Sequence, residues 1–306
     1  MLAAGVAGKS THDGSVYDYF RDRVMFPIEN RQGRVIAFVA RSLVEDQPKY
    51  LNSGEGLTFS KKTVLYGWVQ AREDLRRDLP LVVAEGYMDV IAIHRSGVAA
   101  AVAPLGTALT PEQILLLWKL HNEPVLCFDG DTAGQRAQIR ALERILPVLE
   151  PGRSVRLAVL PNGKDPDDLI GASGPDEFRK VILTARSLVD SLWERLQSEY
   201  ELTQPESRAQ FWQAVRRYVR SIGNNQVRSA YGDEIESRIA AMRNQIRPPF
   251  LSIASNHHRS ILQYMLEYLI KSNILLFIPC PKIQSHFSIL SKNCALSLSS
   301  NTSNAD

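Results

Sequence analysis

Residues 126–134 read LCFDGDTAG, a short apolar run that ends in two aspartates, Asp129 and Asp131, with one glycine between them. Two carboxylates about 5 Å apart repel each other by roughly 3 kcal/mol at an effective dielectric constant near 20. Without a cation this pair would oppose folding. The stretch therefore predicts a buried strand followed by a turn beside which a positive charge is bound.

Three other short apolar runs on either side of this one also end in turn residues. They are LPLVVAEG at 79–86, GVAAAVAPLG at 97–106 and SVRLAVLPNG at 154–163. Continuous apolar runs of this length are typical of buried parallel strands. The segments between them have helical patterns, the clearest being TPEQILLLWKLH, in which Thr110 and Gln113 predict a capping box. This alternation predicts a parallel sheet with helices on both faces, which we assign to residues 81–174.

The chain changes character on both sides of this α/β domain. Residues 1–80 combine sequence signals for hairpins and loops with basic residues. The stretch at 25–43, MFPIENRQGRVIAFVARSL, predicts two strands joined by a turn. We interpret this part as a partial basic subdomain of mixed α/β structure. Residues 175–247 have apolar residues three and four positions apart, which predicts a helical subdomain.

Residues 248–306 form an atypical tail with only two acidic residues, Glu267 and Asp306. Residues 261–280 are apolar enough to suggest a membrane span, but Glu267 and Lys271 inside this stretch argue against one. We expect the tail to lie outside the working fold, either disordered or translated out of frame.

The bulk composition excludes several classes of protein. The 306 residues carry a formal net charge of only +3, so binding to nucleic acid has to come from local patches. Three cysteines, with no Cys-x-x-Cys pair, fit neither a disulfide framework nor a structural zinc site. The first ten residues have no secretion signal. We expect a cytoplasmic protein without a membrane anchor.

Acidic residues follow three of the predicted strands, namely Glu85, Asp129 with Asp131, and Asp165 with Asp167. The carboxyl ends of parallel strands meet at one edge of a sheet, so these side chains should lie close together. Carboxylates suit Mg²⁺ or Mn²⁺, and paired ions serve phosphoryl or nucleotidyl transfer. A single Asp-x-Asp is weaker evidence, because aspartate is also common at helix N-termini. Asp89 either joins the site or only caps a helix.

These motifs, in this order, resemble the Toprim domain of primases, topoisomerases and some nucleases. EGYMDVIAIHRSGVAAAVAPLGTALT, FDGDTAGQRA and LPNGKDPDDLI, together with KYLNSGEG and FSKK upstream, are similar to the bacterial replicative DNA primases. The resemblance covers residues 16–245 approximately. It implies an RNA polymerase that uses Mg²⁺ or Mn²⁺ to copy single-stranded DNA into RNA primers from ribonucleoside triphosphates.

The resemblance also implies roles for individual residues. Glu85 would be the catalytic acidic residue and the candidate general base, and Asp89 would support the metal ligands. The metal ligands would be Asp129, Asp131, Asp165 and Asp167. The surface that guides template and nucleotide would contain Arg21, Arg41, Lys49, Asn52 and Lys61. We interpret Lys62 and the row Arg136, Arg140 and Arg144 as solvated surface charges, and Tyr50 and Phe59 as core residues.

The chain also departs from the primase pattern at its ends. The family's N-terminal zinc-binding module has no matching cysteines here, and the catalytic core normally starts earlier. The helical domain that binds the replicative helicase is missing, and the atypical tail stands in its place. We therefore expect a primase core truncated at both ends, and we leave its activity open.

Two other interpretations remain. FDGDTAG also matches the Asp-x-Asp-x-Thr signature of haloacid-dehalogenase-like phosphatases, with Asp129 as the nucleophile. That hypothesis leaves Glu85 and the basic segment unexplained. Alternatively, the chain is an inactive primase fragment that binds metal and nucleic acid but does not polymerise.

Overall fold

The computed structural model describes residues 5–44, 48–56, 59–106 and 108–246. The predicted tail at 248–306 lies outside the described residues, so the expectations for it stay predictions. All the features discussed below belong to one compact unit, Met1–Ile239. Of the second unit, Ala240–Asp306, the structure describes only the end of one helix.

The elements alternate between strand and helix in the middle of the chain and are mainly helical after it. The strands are β1 (Ala7–Lys9), β2 (Val16–Asp18), β3 (Arg23–Glu29), β4 (Val35–Ser42), β5 (Tyr50–Asn52), β6 (Leu81–Val83), β7 (Ala100–Val102), β8 (Val125–Phe128), β9 (Arg156–Val159) and β10 (Arg186–Ser187). The helices are α1 (Trp68–Asp74), α2 (Tyr87–Ser96), α3 (Pro111–Leu120), α4 (Thr132–Ile145), α5 (Pro166–Ser173), α6 (Pro175–Leu183), α7 (Leu188–Glu199), α8 (Pro205–Ser221) and α9 (Asn225–Ile246).

The central sheet has the strand order β10-β9-β8-β6-β7. Strands β6 to β9 are mutually parallel, and β10 pairs with β9 in the antiparallel direction. The carboxyl ends of β6, β8 and β9 therefore lie side by side at one edge. This confirms the predicted fold class, a mostly parallel sheet flanked by helices.

Both faces of the central sheet are covered because its strands are apolar on both sides. On one face Val82 and Cys127 belong to a core cluster with residues of α2, α5 and α6, among them Phe178. On the other face Leu126 and Phe128 lie near Ala137 and Ala141 of α4. Adjacent strand residues point to opposite faces, so the continuous run VLCF packs against both layers.

A second, antiparallel sheet is formed upstream by β3, β4 and β5. Its first two strands are the predicted hairpin, closed by the turn at residues 30–34. A core of its own includes Ile28, Val39 and Phe59, and Phe59 is buried as predicted. This sheet, the small pair β1 and β2, and helix α1 give the N-terminal part its mixed α/β character.

Helix α3 begins as predicted, since the Thr110 hydroxyl accepts from the Gln113 amide and the Gln113 side chain accepts from the Thr110 amide. The run at 178–196, predicted to be helical throughout, is instead divided by β10 into α6 and α7. Arg156 explains the break, because its guanidinium donates two hydrogen bonds to the Ala185 carbonyl and holds the chain along the sheet edge. The domain boundaries at 80, 174 and 247 stay predictions. None of the helices in the described part of the chain is long and apolar enough to cross a membrane.

Candidate functional site

The turn after β8 is shaped by two glycines that leave no room for a side chain. A Cβ atom on Gly130 would lie 2.2 Å from the Leu160 carbonyl oxygen, and one on Gly134 would lie 2.1 Å from the Asp129 carbonyl oxygen. Both collisions are with backbone, which cannot move aside cheaply. Gly130 therefore lets the loop after β8 approach the loop after β9, and Gly134 lets the start of α4 fold closely against Asp129.

Glu85 and Asp129 meet at the ends of the neighbouring strands β6 and β8. The Asp129 amide donates to Glu85 Oε1 at 3.3 Å. Burial raises the pKa of Glu85, and the negative charge of Asp131 adds to this effect. Burial together with Glu85, Asp165, and other nearby carboxylates raises the pKa of Asp129 to about 6. The Oδ1 atom of Asp129 is buried without a hydrogen-bond partner.

Asp131 and Asp165 each cap the helix that follows their strand. Asp131 Oδ1 accepts from the Gly134 amide at 2.7 Å at the start of α4, and Asp165 Oδ1 accepts from the Asp168 amide at 2.7 Å at the start of α5. Each cap uses one carboxylate oxygen. Asp167 is exposed in the first turn of α5. A structural role as a cap and a place in the acidic cluster are therefore compatible.

Asp89 also combines the two roles that the sequence left open. Its Oδ2 atom accepts from the Gly86 amide at 3.1 Å near the start of α2. Its side chain is nearly buried, with 7% exposed. Burial and the charges of Asp165 and Asp129 raise the pKa of Asp89 to about 7. Asp89 therefore belongs electrostatically to the acidic cluster.

The carboxylates of this acidic cluster are suitable ligands for a divalent cation. Carboxylate oxygens are hard ligands, the Asp129 Oδ1 atom lacks a partner, and burial together with neighbouring carboxylates raises the pKa of Asp89 and of Asp129. Among the described residues no three acidic or histidine side chains already surround a single point as a complete ligand set. A small ion with several retained water ligands suits such an arrangement.

Arg144 of α4 contradicts our interpretation of the row Arg136, Arg140 and Arg144 as solvated charges, whereas Arg136 and Arg140 are exposed. Arg144 donates to the Ala108 and Leu109 carbonyls at 2.7 and 2.8 Å. Arg140 lines a cavity of about 230 Å³ together with Glu85 and lowers the pKa of Glu85. Arg140 and Arg144 are four positions apart, so they lie on the same side of α4.

The basic residues Arg41 and Lys49 come together on the second sheet. Arg41 of β4 pairs with Tyr50 of β5 across the strands. The Arg41 guanidinium carbon lies 5.9 Å and Lys49 Nζ 5.5 Å from the centre of the Tyr50 ring. Tyr50 is 42% exposed, so its prediction as a core residue was wrong. Two cations on one accessible aromatic ring form a surface suited to a nucleic-acid backbone.

The other three predicted binding residues occupy separate places. Arg21 lies over the Tyr17 ring at 5.5 Å, and its Nε donates to the Asp18 carbonyl. Lys61 belongs to a loop held to α3, where Gln113 donates to the Lys61 carbonyl at 2.9 Å. Asn52 lies at the end of β5 beside Gly106, since its Nδ2 atom would be 3.0 Å from a Cβ on that glycine.

An aromatic cluster connects the basic sheet to the acidic edge. Tyr87 begins α2, two residues after Glu85, and its ring contacts Phe26, Tyr50 and Tyr66 at centroid distances of 5.0, 5.4 and 5.8 Å. The same Tyr50 ring carries Arg41 and Lys49. No sequence pattern predicted this connection, because its members come from three different elements and from the segment before α1.

Comparison with known proteins gives one family match for the N-terminal part of the chain and another for the α/β domain. Residues 1–72 match the DNA primase catalytic core, N-terminal domain, and residues 82–170 match the Toprim-like family. The DNA primase of Pseudomonas aeruginosa is 46% identical over 210 residues, which are 68% of this chain and 32% of that protein. The chain thus spans about a third of the length of the curated primases that it matches.

Solved structures agree with this assignment. A DNA primase domain from Pseudomonas aeruginosa superposes with a TM-score of 0.73 at 43% identity, covering 78% of this chain and 74% of the other. A DnaG primase catalytic domain, solved bound to single-stranded DNA, has a TM-score of 0.69 at 38% identity and covers 77% and 76%. Nothing in these matches favours the phosphatase interpretation. The chain therefore belongs to the DnaG-type bacterial DNA primases and corresponds to much of their catalytic core.

Proposed function

We propose that the acidic edge of this chain is the nucleotidyl-transfer site of a DNA primase, which joins ribonucleotides on a single-stranded DNA template. One observation carries the proposal. Burial and neighbouring carboxylates raise the pKa of Glu85 and of Asp129 at the ends of β6 and β8, and an aromatic cluster links that edge to a cationic surface. Primer synthesis needs both parts, a centre for charge-stabilised phosphoryl transfer and a track for a polyanion.

Glu85 is the candidate general base of this reaction. Its raised pKa means that it binds a proton more strongly than an ordinary glutamate does. A carboxylate of this kind can accept the proton of an attacking ribose hydroxyl. Arg140 lines the same small cavity, and its positive charge lowers the pKa of Glu85, against the effect of burial. Asp89 acts as a support through its hydrogen bond to the Gly86 amide, which fixes the backbone next to Glu85.

Asp129, Asp131, Asp165 and Asp167 are the residues that would hold Mg²⁺ or Mn²⁺. A bound divalent ion would neutralise phosphate charge and stabilise the attacking and leaving oxygens. The protein's own contribution is to fix the ligands in place. The caps on α4 and α5 restrict the Asp131 and Asp165 carboxylates, and the hydrogen bond between Glu85 and the Asp129 amide ties the two strand ends together.

Arg41, Lys49 and Tyr50 form the proposed template surface, with Arg21, Asn52 and Lys61 around it. Cations contribute affinity by releasing counterions from the phosphate backbone, and the aromatic ring offers a face for stacking. Asn52 adjoins the turn after β7 and is the candidate for contact with the incoming nucleotide. We place this function in the bacterial cytoplasm, where template and ribonucleotides are available.

The proposal is tested by primer synthesis on single-stranded DNA with labelled ribonucleotides and Mg²⁺ or Mn²⁺. Glu85→Gln should reduce the rate of chain extension by about 10²- to 10⁴-fold, the usual contribution of a general base. Glu143→Gln, on the exposed side of α4, is the matched control and should leave the rate unchanged. An unmodified chain that binds DNA and Mn²⁺ but makes no RNA would instead support the inactive-fragment hypothesis.

A further inference from the structure

A cavity of about 680 Å³ opens between α4 and α7 on the outer part of the central sheet. Its floor includes Leu157 and Val159 of β9. Gln135 and Gln138 line it from α4, and Ser191 and Arg195 line it from α7. The volume is in the range of small-molecule sites, about 300–1,000 Å³. The proposed polymerase function makes no use of these residues.

Two polar groups on the α7 wall are buried without hydrogen-bond partners. Ser191 is only 5% exposed, and neither its Oγ atom nor the Nε atom of Arg195 has a partner. A buried donor without an acceptor destabilises the folded protein, and more so when the group is charged, so such groups call for an explanation. The two residues are four positions apart, so their side chains lie on the same face of α7.

Two ion pairs hold charged side chains around this face of α7 in place. Arg195 Nη2 donates to Glu199 Oε2 at 3.0 Å, which engages one part of the guanidinium and leaves the Nε donor inside. At another part of the cavity lining, Arg186 forms an ion pair with Glu194. Both arginines are therefore paired with glutamates, and the feature that favours an anion is the unpartnered Nε donor of Arg195. Arginine Nε can only donate, so it requires an acceptor oxygen.

The apolar floor adds a second requirement for a ligand. Val159 is 49% exposed although it belongs to the central sheet, whereas Leu157, two residues away on the same face of β9, is only 2% exposed. A ligand with an apolar body would cover this strand while its polar end reached α7. Inorganic ions alone would leave the strand face uncovered.

We propose that this cavity binds a small organic oxyanion, a carboxylate or a phosphate ester. Its oxygen accepts from Arg195 Nε and from the Ser191 hydroxyl, and its apolar body lies on Val159. The amides of Gln135 and Gln138 face the ligand from α4 and can bind its remaining polar groups. The site is separate from the acidic cluster, although α4 begins at the Asp131 cap and carries both glutamines.

The binding test uses 8-anilinonaphthalene-1-sulfonate, which combines an apolar body with an oxyanion and becomes fluorescent when it is buried. Titration of the whole chain without divalent ions should give one saturable site. Ser191→Val and Arg195→Leu should each weaken binding about tenfold or more, since each removes a hydrogen bond to an anion. Arg179→Leu on α6, outside the cavity lining, is the control and should bind normally.

A blocking variant keeps the test decisive if Ser191→Val or Arg195→Leu disturbs folding. Gln138→Trp should fill the cavity from α4 and abolish binding, while Glu143→Trp on the exposed side of the same helix should not. Competition by benzoate and by phenyl phosphate then distinguishes the two ligand sources, carboxylate and phosphate ester. Unchanged probe binding in Gln138→Trp, or the absence of a saturable site, would overturn the proposal. Either result is independent of whether the chain makes primers.

Discussion

The acidic edge of the central sheet and the cationic surface of β4 and β5 are built in different ways. The acidic edge depends on fixed backbone: Gly130 and Gly134 allow a close approach, and helix caps hold Asp131 and Asp165. The cationic surface depends on exposed side chains, with Arg41 and Lys49 against one accessible ring.

This difference follows from what each region has to do. Chemistry at a phosphate requires ligands that are held in position before the substrate arrives. Steering a polyanion requires only that charge of the right sign be concentrated on one surface. We therefore expect the acidic edge to be intolerant of small backbone changes, and the cationic surface to lose affinity gradually as charges are removed.

The largest effect should come from Gly130→Ala. The added methyl group would collide with the Leu160 carbonyl oxygen and the Gly163 amide nitrogen, so the loops after β8 and β9 must separate. We expect a loss of about 3 kcal/mol in the free energy of unfolding, a value typical of backbone strain in a packed site. Primer synthesis should fall at least a hundredfold. Chemical denaturation and the primer assay measure the two effects.

The control for this substitution is Gly171→Ala in α5. A Cβ atom on Gly171 would contact nothing within 4 Å, and alanine favours helix over glycine by up to about 1 kcal/mol. Its stability should therefore stay the same or rise slightly. Equal destabilisation by both substitutions would contradict the account of the acidic edge.

On the cationic surface, Lys49→Ala and Arg41→Ala should each weaken the binding of single-stranded DNA moderately and by a similar amount. Each removes one cation, so the slope of log affinity for single-stranded DNA against log salt should become shallower by about 0.7. At moderate salt each variant should bind several-fold more weakly, with normal stability. Fluorescence anisotropy with a labelled oligonucleotide measures this. The exposed Lys62→Ala is the control, and a loss of affinity in that variant equal to the others would indicate a diffuse charge effect.

We expect a smaller effect on the pH dependence of the free energy of unfolding, measured in a buffer that contains a metal chelator. Burial and neighbouring carboxylates raise the pKa of Asp129 to about 6 and that of Asp89 to about 7. The folded state therefore binds these protons more tightly than the unfolded state does. Their stabilising contribution is complete below the unfolded pKa of 3.8 and is lost as pH rises through these folded values.

We expect the free energy of unfolding to fall by about 1–2 kcal/mol between pH 5 and pH 8, after discounting for the partial exposure of Asp129. In Asp129→Asn the fall should be clearly smaller, because the group no longer ionises. Urea denaturation at several pH values measures it. The exposed Asp176→Asn should behave like the unmodified chain, and a fall of the same size in Asp129→Asn would argue against a repulsive cluster.

Sequence patterns predicted the parts of the fold in which local chemistry is strong. The four parallel strands are continuous apolar runs, and the hairpin of β3 and β4 has a turn signal between two alternating segments. Helix α3 starts at its capping box. In each case the residues that decide the structure are neighbours in the chain.

The errors arose where distant residues decide the outcome. Strand β10 has only two residues, too few for a pattern, and it exists because it pairs with β9. Arg144 is an ordinary exposed-face arginine in sequence, but the carbonyls that it binds lie 35 and 36 residues away. Tyr50 is exposed because it stands at the end of an edge strand. The acidic residues were identified from their positions after strands, whereas their caps and mutual pKa effects required the folded chain.

The central claim is that carboxylates from different strand ends form one site for a divalent cation. The most direct test is Mn²⁺ binding followed by electron paramagnetic resonance, in the unmodified chain, in Asp129→Asn and in Asp176→Asn. We predict saturable binding that is weakened at least tenfold by Asp129→Asn and unaffected by Asp176→Asn. Equal Mn²⁺ affinity in all three proteins would contradict the account.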